Sequence, residues 1–305
     1  MVGSSIARAL NQDKNIKILK TSSTELNLIN QEEVTNFFNN NKIDEVYIAA
    51  AKVGGIYANN TYPAEFIYKN IMMTSNILNS CFESNISKVL YLGSSCIYPK
   101  HAEQPISEDM LLSGKLESTN EPYAIAKIAG IKMCESYNRQ YNTDFRSVMP
   151  CNLYGKGDNY GEKESHVIPG LIRRFHEAKQ NNYKSVFVWG SGKPKREFLY
   201  VDDLASACTH IMNLDKKNYQ NLTNPMCSHI NVGKGVDISI KDLSYIIAKI
   251  IGYKGEIKFD TSMPDGTMKK LINSNLIKNS GWVPSISIES GIKLAYKDFI
   301  TSHRK

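Results

Sequence analysis

Four short apolar runs, at 16–19, 45–48, 89–92 and 145–149, limit what this chain can fold into more than any other feature. Segments of helical spacing accompany them, at 1–10, about 30–40, 63–84 and 123–141, joined by short loops. Strands that read as apolar throughout are covered on both faces, and their alternation with helices predicts an α/β fold on a doubly wound parallel sheet. Beyond residue 150 the alternation loosens: Gly, Pro, Lys and Asn crowd 155–165 and 190–196, and aromatics lie beside charges. We therefore expect a larger body over 1–164 and a smaller, loop-rich C-terminal α/β body over 165–305, part of which returns to the first.

In such sheets ligands bind beyond the C-terminal strand ends, and Ser94 follows the run 89–92. Tyr123 and Lys127 are four residues apart behind Pro122, which suits a first helical turn, so both side chains share one helical face. An ammonium beside a phenol favours the phenolate, which predicts a Tyr123 pKa drawn toward neutrality. Y-x-x-x-K recurs by chance, and such a pair alone is usually a half-solvated face. A strand-end Ser ahead of it is what makes a device for moving a proton on and off a carbonyl oxygen.

Other candidates have two readings each. Cys96, two residues after Ser94, is either a buried small apolar residue or a thiol base beside the active hydroxyl. His166 opens the apolar stretch after the polar loop 155–164, where a lone His is commonly structural or solvated but a junction favours function. Arg196 belongs to a cationic Gly-rich loop that can hold a diphosphate or simply form a solvated hairpin tip. Arg173-Arg174, Lys269-Lys270 and Asp265-Gly266 pass as surface by themselves. After the run 16–19 no acid stands ready for a ribose 2'-hydroxyl; Lys20, Thr21, Ser22 and Ser23 suit a 2'-phosphate better, which favours NADP.

The chain has 305 residues, 42% hydrophobic and 22% charged, enough for a sizeable core and without a disorder signature. Its net charge of +7 comes from scattered Lys residues with no basic run interleaved by aromatics, so an anionic small substrate accounts for it better than nucleic acid. The cysteines at 81, 96, 134, 151, 208 and 227 show no C-x-x-C spacing, which argues against zinc or any other metal site and against disulfides, and fits a reducing cytoplasm. No run approaches the length of a membrane span, and the N-terminus lacks a signal-peptide pattern.

Several blocks are more specific: Ala49–Ile56 (AAAKVGGI), Asn59–Ala64 (NNTYPA), Gly93–Lys100 (GSSCIYPK), Asn120–Gly130 (NEPYAIAKIAG), Glu135–Tyr141, Ser165–Pro169 and Arg196–Asp203. With them the chain resembles the extended short-chain dehydrogenase/reductases, Rossmann-type oxidoreductases. Within that family it is similar to the GDP-4-keto-6-deoxy-D-mannose 3,5-epimerase/4-reductases over nearly its whole length. The resemblance implies a dinucleotide-binding body ahead of a GDP-sugar body, and NADPH-dependent 3,5-epimerisation and 4-reduction. It implies Ser94, Tyr123 and Lys127 as the reductase triad, with Cys96 and His166 as base and acid of epimerisation. Cofactor contacts are implied at Gly3, Leu92, Gly93, Ser94, Ser95, Lys127, Pro150, Cys151, Asn152, Leu153 and His166. Arg174, Trp189, Arg196, Asp265 and Lys270 are implied for GDP, and a homodimer through the helices 63–84 and 123–141.

Two departures stand out. The family's first strand and the first two glycines of its phosphate-binding fingerprint have no counterpart, since only Gly3 stands for the third; we expect a truncated gene model rather than a designed loss. The family's arginines for the 2'-phosphate are also missing, one of them replaced by Ser23. Rival expectations are another nucleotide-sugar 4-reductase, 4-epimerase or dehydratase, and a non-catalytic remnant that binds a GDP-sugar.

Overall fold

The computed structural model describes residues 1–162, 165–263 and 265–302. Lys163 and Glu164, where the expected boundary between the two bodies falls, lie outside the described residues. The first part of the chain runs α1 (Val2–Leu10), α2 (Gln31–Asn39), β1 (Glu45–Ile48), α3 (Ile56–Thr61), α4 (Pro63–Glu83), β2 (Lys88–Leu92), α5 (Glu121–Tyr141), β3 (Asp144–Pro150) and β4 (Asn152–Tyr154). It continues with α6 (Val167–Gln180), β5 (Ser185–Trp189), β6 (Lys195–Tyr200), α7 (Val201–Asn213), α8 (Lys216–Leu222), β7 (His229–Val232) and β8 (Asp237–Ser239). Then come α9 (Ile240–Ile251), β9 (Glu256–Asp260), β10 (Lys269–Lys270), α10 (Asn275–Asn279) and α11 (Ile288–Ser302).

Sequence signals set the ends of these elements. Asn30 caps α2 by accepting from the amides of Glu32 and Glu33, and Ser239 caps α9 through Asp242. Pro63 and Pro122 occupy first turns, where a missing N–H costs nothing. Asn142 ends α5 in the left-handed conformation.

The main sheet is parallel, in the order β1-β2-β3-β7. α4 and α5 pack together on it, as do α1 and α7, giving the doubly wound architecture. β2 lies between two neighbours, and Val89, Leu90 and Tyr91 are fully buried, which accounts for its unbroken apolar run. One core surrounds this sheet and takes in Leu204, Ile211, Ile230, Ile272 and Trp282 from the later chain. A second core gathers Leu171, Phe175, Val188, Leu243 and Phe299 around the remaining strands. There β6 pairs with β4, β10 and β8, and β5 pairs with β9.

The expected strand at 16–19 does not form. Ile16 and Leu19 are exposed, Ile16 N closes a turn onto Asp13 O at 3.2 Å, and among the described residues no strand pairs with the segment. An extended run without a partner strand has nowhere to place its N–H and C=O groups except water.

Candidate active site

The strands of a parallel sheet end on one side, and β2 delivers the reactive turn there. Gly93 N donates to Val148 O at 2.9 Å, holding the chain beside β3 for one residue beyond the strand. Ser94 is extended, and its Oγ accepts the Cys96 amide at 3.3 Å, capping a short 3₁₀ turn over Ser95–Ile97. Ser94 and Cys96 therefore belong to one braced turn.

α5 supplies the partners. A Cβ at Gly130 would lie 2.4 Å from the ring of Tyr91, so only glycine lets α5 approach β2 this closely. Lys127 is buried, with Nζ donating to Leu92 O at 2.8 Å and lying 4.9 Å from the Tyr91 ring centroid and 5.9 Å from that of Tyr123. Burial brings Lys127 down to about 8. The Tyr123 phenol lies close enough to Ser94 for the serine to ease its ionisation, and its ring stands edge-on to Phe66 at 6.3 Å.

The expected fall in the Tyr123 pKa is not found: burial first, and the neighbouring Cys96 second, raise it. The ammonium of Lys127 is turned to the Leu92 carbonyl, and enclosure of the phenol prevails. Tyr123 is thus a neutral phenol, a proton donor rather than a standing phenolate.

A cationic arm meets this cluster. β10 pairs with β6 so that Lys270 stands in register with Arg196, and Lys270 Nζ lies 3.9 Å from Cys96 Sγ. Cys96, Gln104, Glu117, Lys269 and Lys270 line a cleft at this junction. Arg196 donates to the carbonyl oxygens of Lys195, at 2.8 Å, and Thr267. Arg174 donates to Phe187 O at 3.1 Å and lies 5.5 Å from the ring of Trp189, which is exposed. Asp265 accepts from Ser191 N at 2.8 Å and Ser191 Oγ at 2.6 Å. Its carboxylate therefore braces the loop at Gly190, whose φ of +78° suits glycine, rather than standing free.

The cofactor side has a consistent shape. Gly3 lies in the first turn of α1, and a Cβ there would touch that of Ala49 at 3.4 Å, so the helix start sits against the end of β1. The first-turn amides of α1 have no side-chain cap and can face an anion, as a pyrophosphate requires. Lys127 uses one of its ammonium protons on Leu92, leaving donors for ribose hydroxyls. A dinucleotide therefore fits the residues present. Leu92, Gly93 and Ser95 are buried at the end of β2, and Pro150, Cys151 and Leu153 lie at the end of β3 and the start of β4. Asn152 is partly committed, its Nδ2 donating to Glu197 O at 2.8 Å. Ser22, expected near a 2'-phosphate, is hydrogen-bonded to Glu25 at 2.8 Å and Thr24 at 2.8 Å.

Not every expected residue joins the cluster. His166 is exposed at the start of α6, its charged neighbour is Asp158, and among the described residues no hydrogen bond joins it to Cys96. Phe66 against Tyr123, and Lys52 at 2.8 Å from Glu65, border the site without having stood out in the sequence; the block Ala49–Ile56 was the available signal for Lys52. Among the described residues no group of metal-ligating side chains forms, and no helix is long and apolar enough to cross a membrane.

Residues 1–233 match the model of the NAD dependent epimerase/dehydratase family. The chain belongs to that family. GDP-L-fucose synthase of Escherichia coli (strain K12) is 55% identical to it over 300 residues, 98% of this chain and 94% of that protein. GDP-L-colitose synthase of Yersinia pseudotuberculosis is 40% identical over 301 residues, 98% of this chain and 95% of that protein. Among solved structures, MlghC, a GDP-mannoheptose C4 reductase from Campylobacter jejuni with NADP bound, superposes with a TM-score of 0.89 at 36% identity, covering 98% of this chain and 94% of that one.

Proposed function

We propose that this chain catalyses NADPH-dependent 3,5-epimerisation and 4-reduction of GDP-4-keto-6-deoxy-D-mannose, giving GDP-L-fucose. The observation that carries this reading is the 3.9 Å contact of Lys270 with Cys96, which joins the cationic strand pair to the Ser94–Tyr123–Lys127 cluster. A diphosphate held by Arg196 and Lys270 brings its sugar to the thiol and the phenol together. GDP-L-fucose synthase and the NADP-bound reductase among the relatives support the substrate and cofactor.

The residues divide the work chemically. A C4 ketone acidifies C3 and C5; at each carbon in turn Cys96 removes the proton and His166 returns one from the opposite face. Ser94 and Tyr123 donate to the oxygen on which the enolate charge gathers. NADPH, when bound, supplies the hydride for C4. Tyr123 then gives its phenolic proton to the C4 oxygen, with Lys127 as the adjacent cation. Cofactor contacts are assigned to Gly3, Leu92, Gly93, Ser95, Lys127, Pro150, Cys151, Asn152, Leu153 and His166, and GDP contacts to Arg174, Trp189, Arg196 and Lys270, with Asp265 as their brace.

A second reading, 4-reduction without epimerisation, is favoured by the exposure of His166 at the start of α6. Deuterium exchange at C3 and C5 in Cys96→Ser and His166→Asn variants separates the two: loss of exchange supports the epimerase, and normal exchange removes these residues from it. The same reading divides the chain into a dinucleotide body over 1–164 and a GDP-sugar body over 165–305 that returns to the main sheet through β7. It also includes a cytoplasmic location, which the free cysteines suit, and a homodimer through α4 and α5, where Tyr68, Ile125 and Tyr141 are exposed. A monomeric mass in solution removes the dimer.

A further inference from the structure

Behind Cys96 runs a buried polar chain that none of these roles uses. Tyr98, two residues on, donates its phenolic proton to Asn231 Oδ1 at 2.5 Å and lies 3.0 Å from His229 Nε2. Asn231 Oδ1 is the acceptor because the amide's Nδ2 donates to Ile106 O at 3.1 Å. With its one proton committed, the Tyr98 oxygen can only accept from His229, so that ring carries its proton on Nε2. Nδ1 is left as the acceptor facing Cys227 Sγ at 4.0 Å. Burial holds His229 down at about 4, which keeps the imidazole neutral and the chain in one direction. The backbone N–H of Asn231 donates to Glu108 Oε1 at 2.9 Å.

The chain continues to the strand that bears Lys270. Ile106 N donates to Leu271 O at 2.9 Å, and Asn273 N donates to Ile106 O at 2.8 Å. Gln104 grips the same strand, donating to Lys269 O at 2.6 Å and accepting from Leu271 N at 2.9 Å. One continuous set of bonds therefore sets the turn of Cys96 against the strand of Lys270. Lys127 is held differently, by the approach of α5 to β2 at Gly130 and by the Leu92 carbonyl.

We propose that Tyr98, His229, Asn231 and Gln104 are positioning residues for epimerisation, fixing the Cys96 thiol relative to the strand that holds the diphosphate, while cofactor binding does not depend on them. The inference rests on Cys96 being the base.

The test measures deuterium wash-in at C3 and C5 of GDP-4-keto-6-deoxy-D-mannose in heavy water without cofactor, beside NADPH affinity read by nicotinamide fluorescence. Tyr98→Phe removes the donor to Asn231, His229→Leu removes the donor to Tyr98, and Gln104→Ala opens the half-buried clamp on Lys269 and Leu271. Each lowers wash-in by about tenfold or more, the scale of a small misplacement of a reacting group, with NADPH affinity retained. His229→Gln, which returns an N–H near the place of Nε2, recovers most of the loss. Undiminished wash-in in Tyr98→Phe and Gln104→Ala overturns the proposal, as does an equal loss of NADPH affinity; these two variants decide if His229→Leu does not fold. Normal wash-in in Cys96→Ser instead overturns the base assignment itself. Loss there with no effect in the other variants overturns positioning alone.

Discussion

In the proposed reading the Ser94–Tyr123–Lys127 cluster and the arm of Arg174, Trp189, Arg196 and Lys270 serve one substrate, but they are built differently. The cluster rests on β2 and α5, with Lys127 desolvated and the Tyr123 phenol raised by burial. The arm rests on short strands, with Trp189 61% exposed and the Arg174 and Arg196 guanidinium groups each tied through Nη1 to backbone carbonyls. Reaction groups gain strength from being dry and fixed, whereas a diphosphate must arrive from water and is met by cations that remain partly in it. Cys96 belongs to the first by its turn and touches the second through Lys270, so it is where the two must agree.

The sharpest way to break this contrast is Tyr123→Phe. Loss of the proton donor lowers NADPH oxidation by about 10²- to 10⁴-fold, with GDP affinity by calorimetry unchanged. A parallel fall in GDP affinity merges the two regions. On the other side, Arg196→Ala or Lys270→Met raises KM for the GDP-sugar by about 10- to 100-fold and makes it less sensitive to salt. For Arg196→Ala, a loss confined to kcat contradicts the division.

The pH dependence sharpens the cluster's side. Lys127 stands at about 8 in the folded protein, below the ordinary lysine value, so hydride transfer falls as pH rises through about 8 and the ammonium is lost. In the same window the unfolded chain binds the additional proton, so this group's contribution to stability rises with pH while activity falls. Lys127→Arg, which stays charged, flattens the activity loss across that window in a pH–rate profile. The smallest effect on chemistry is expected from Gly130→Ala. The added methyl meets Tyr91, costs about 1–3 kcal/mol in a denaturant titration, and moves α5 relative to β2, weakening NADPH binding more than GDP binding.

Local signals made much of this legible in the sequence. Apolar runs at 89–92 and 145–149 became strands buried on both faces, the run 45–48 became the half-buried edge strand of the same sheet, and Pro122 placed the start of α5 beside Tyr123. The run 16–19 misled because apolar character specifies a strand only where a neighbour completes its hydrogen bonds. The Tyr123 pKa misled because spacing shows that a cation is near but not what else it bonds or how dry the phenol becomes. Asp265 was found, yet its work for Ser191 depends on a loop conformation that spacing does not reveal. The Tyr98–His229–Asn231 chain left no trace, since its members are joined only when β7 enters the main sheet beside β3.

The central claim is that one site performs proton exchange at C3 and C5 and reduction at C4. It is tested most directly by running the reaction with GDP-4-keto-6-deoxy-D-mannose and NADPH in heavy water and reading the product by proton NMR. The account predicts a GDP-6-deoxyhexose reduced at C4, inverted at C3 and C5, and carrying deuterium at both positions. A product reduced at C4 with protium and unchanged configuration at C3 and C5 contradicts it and leaves a simple 4-reductase.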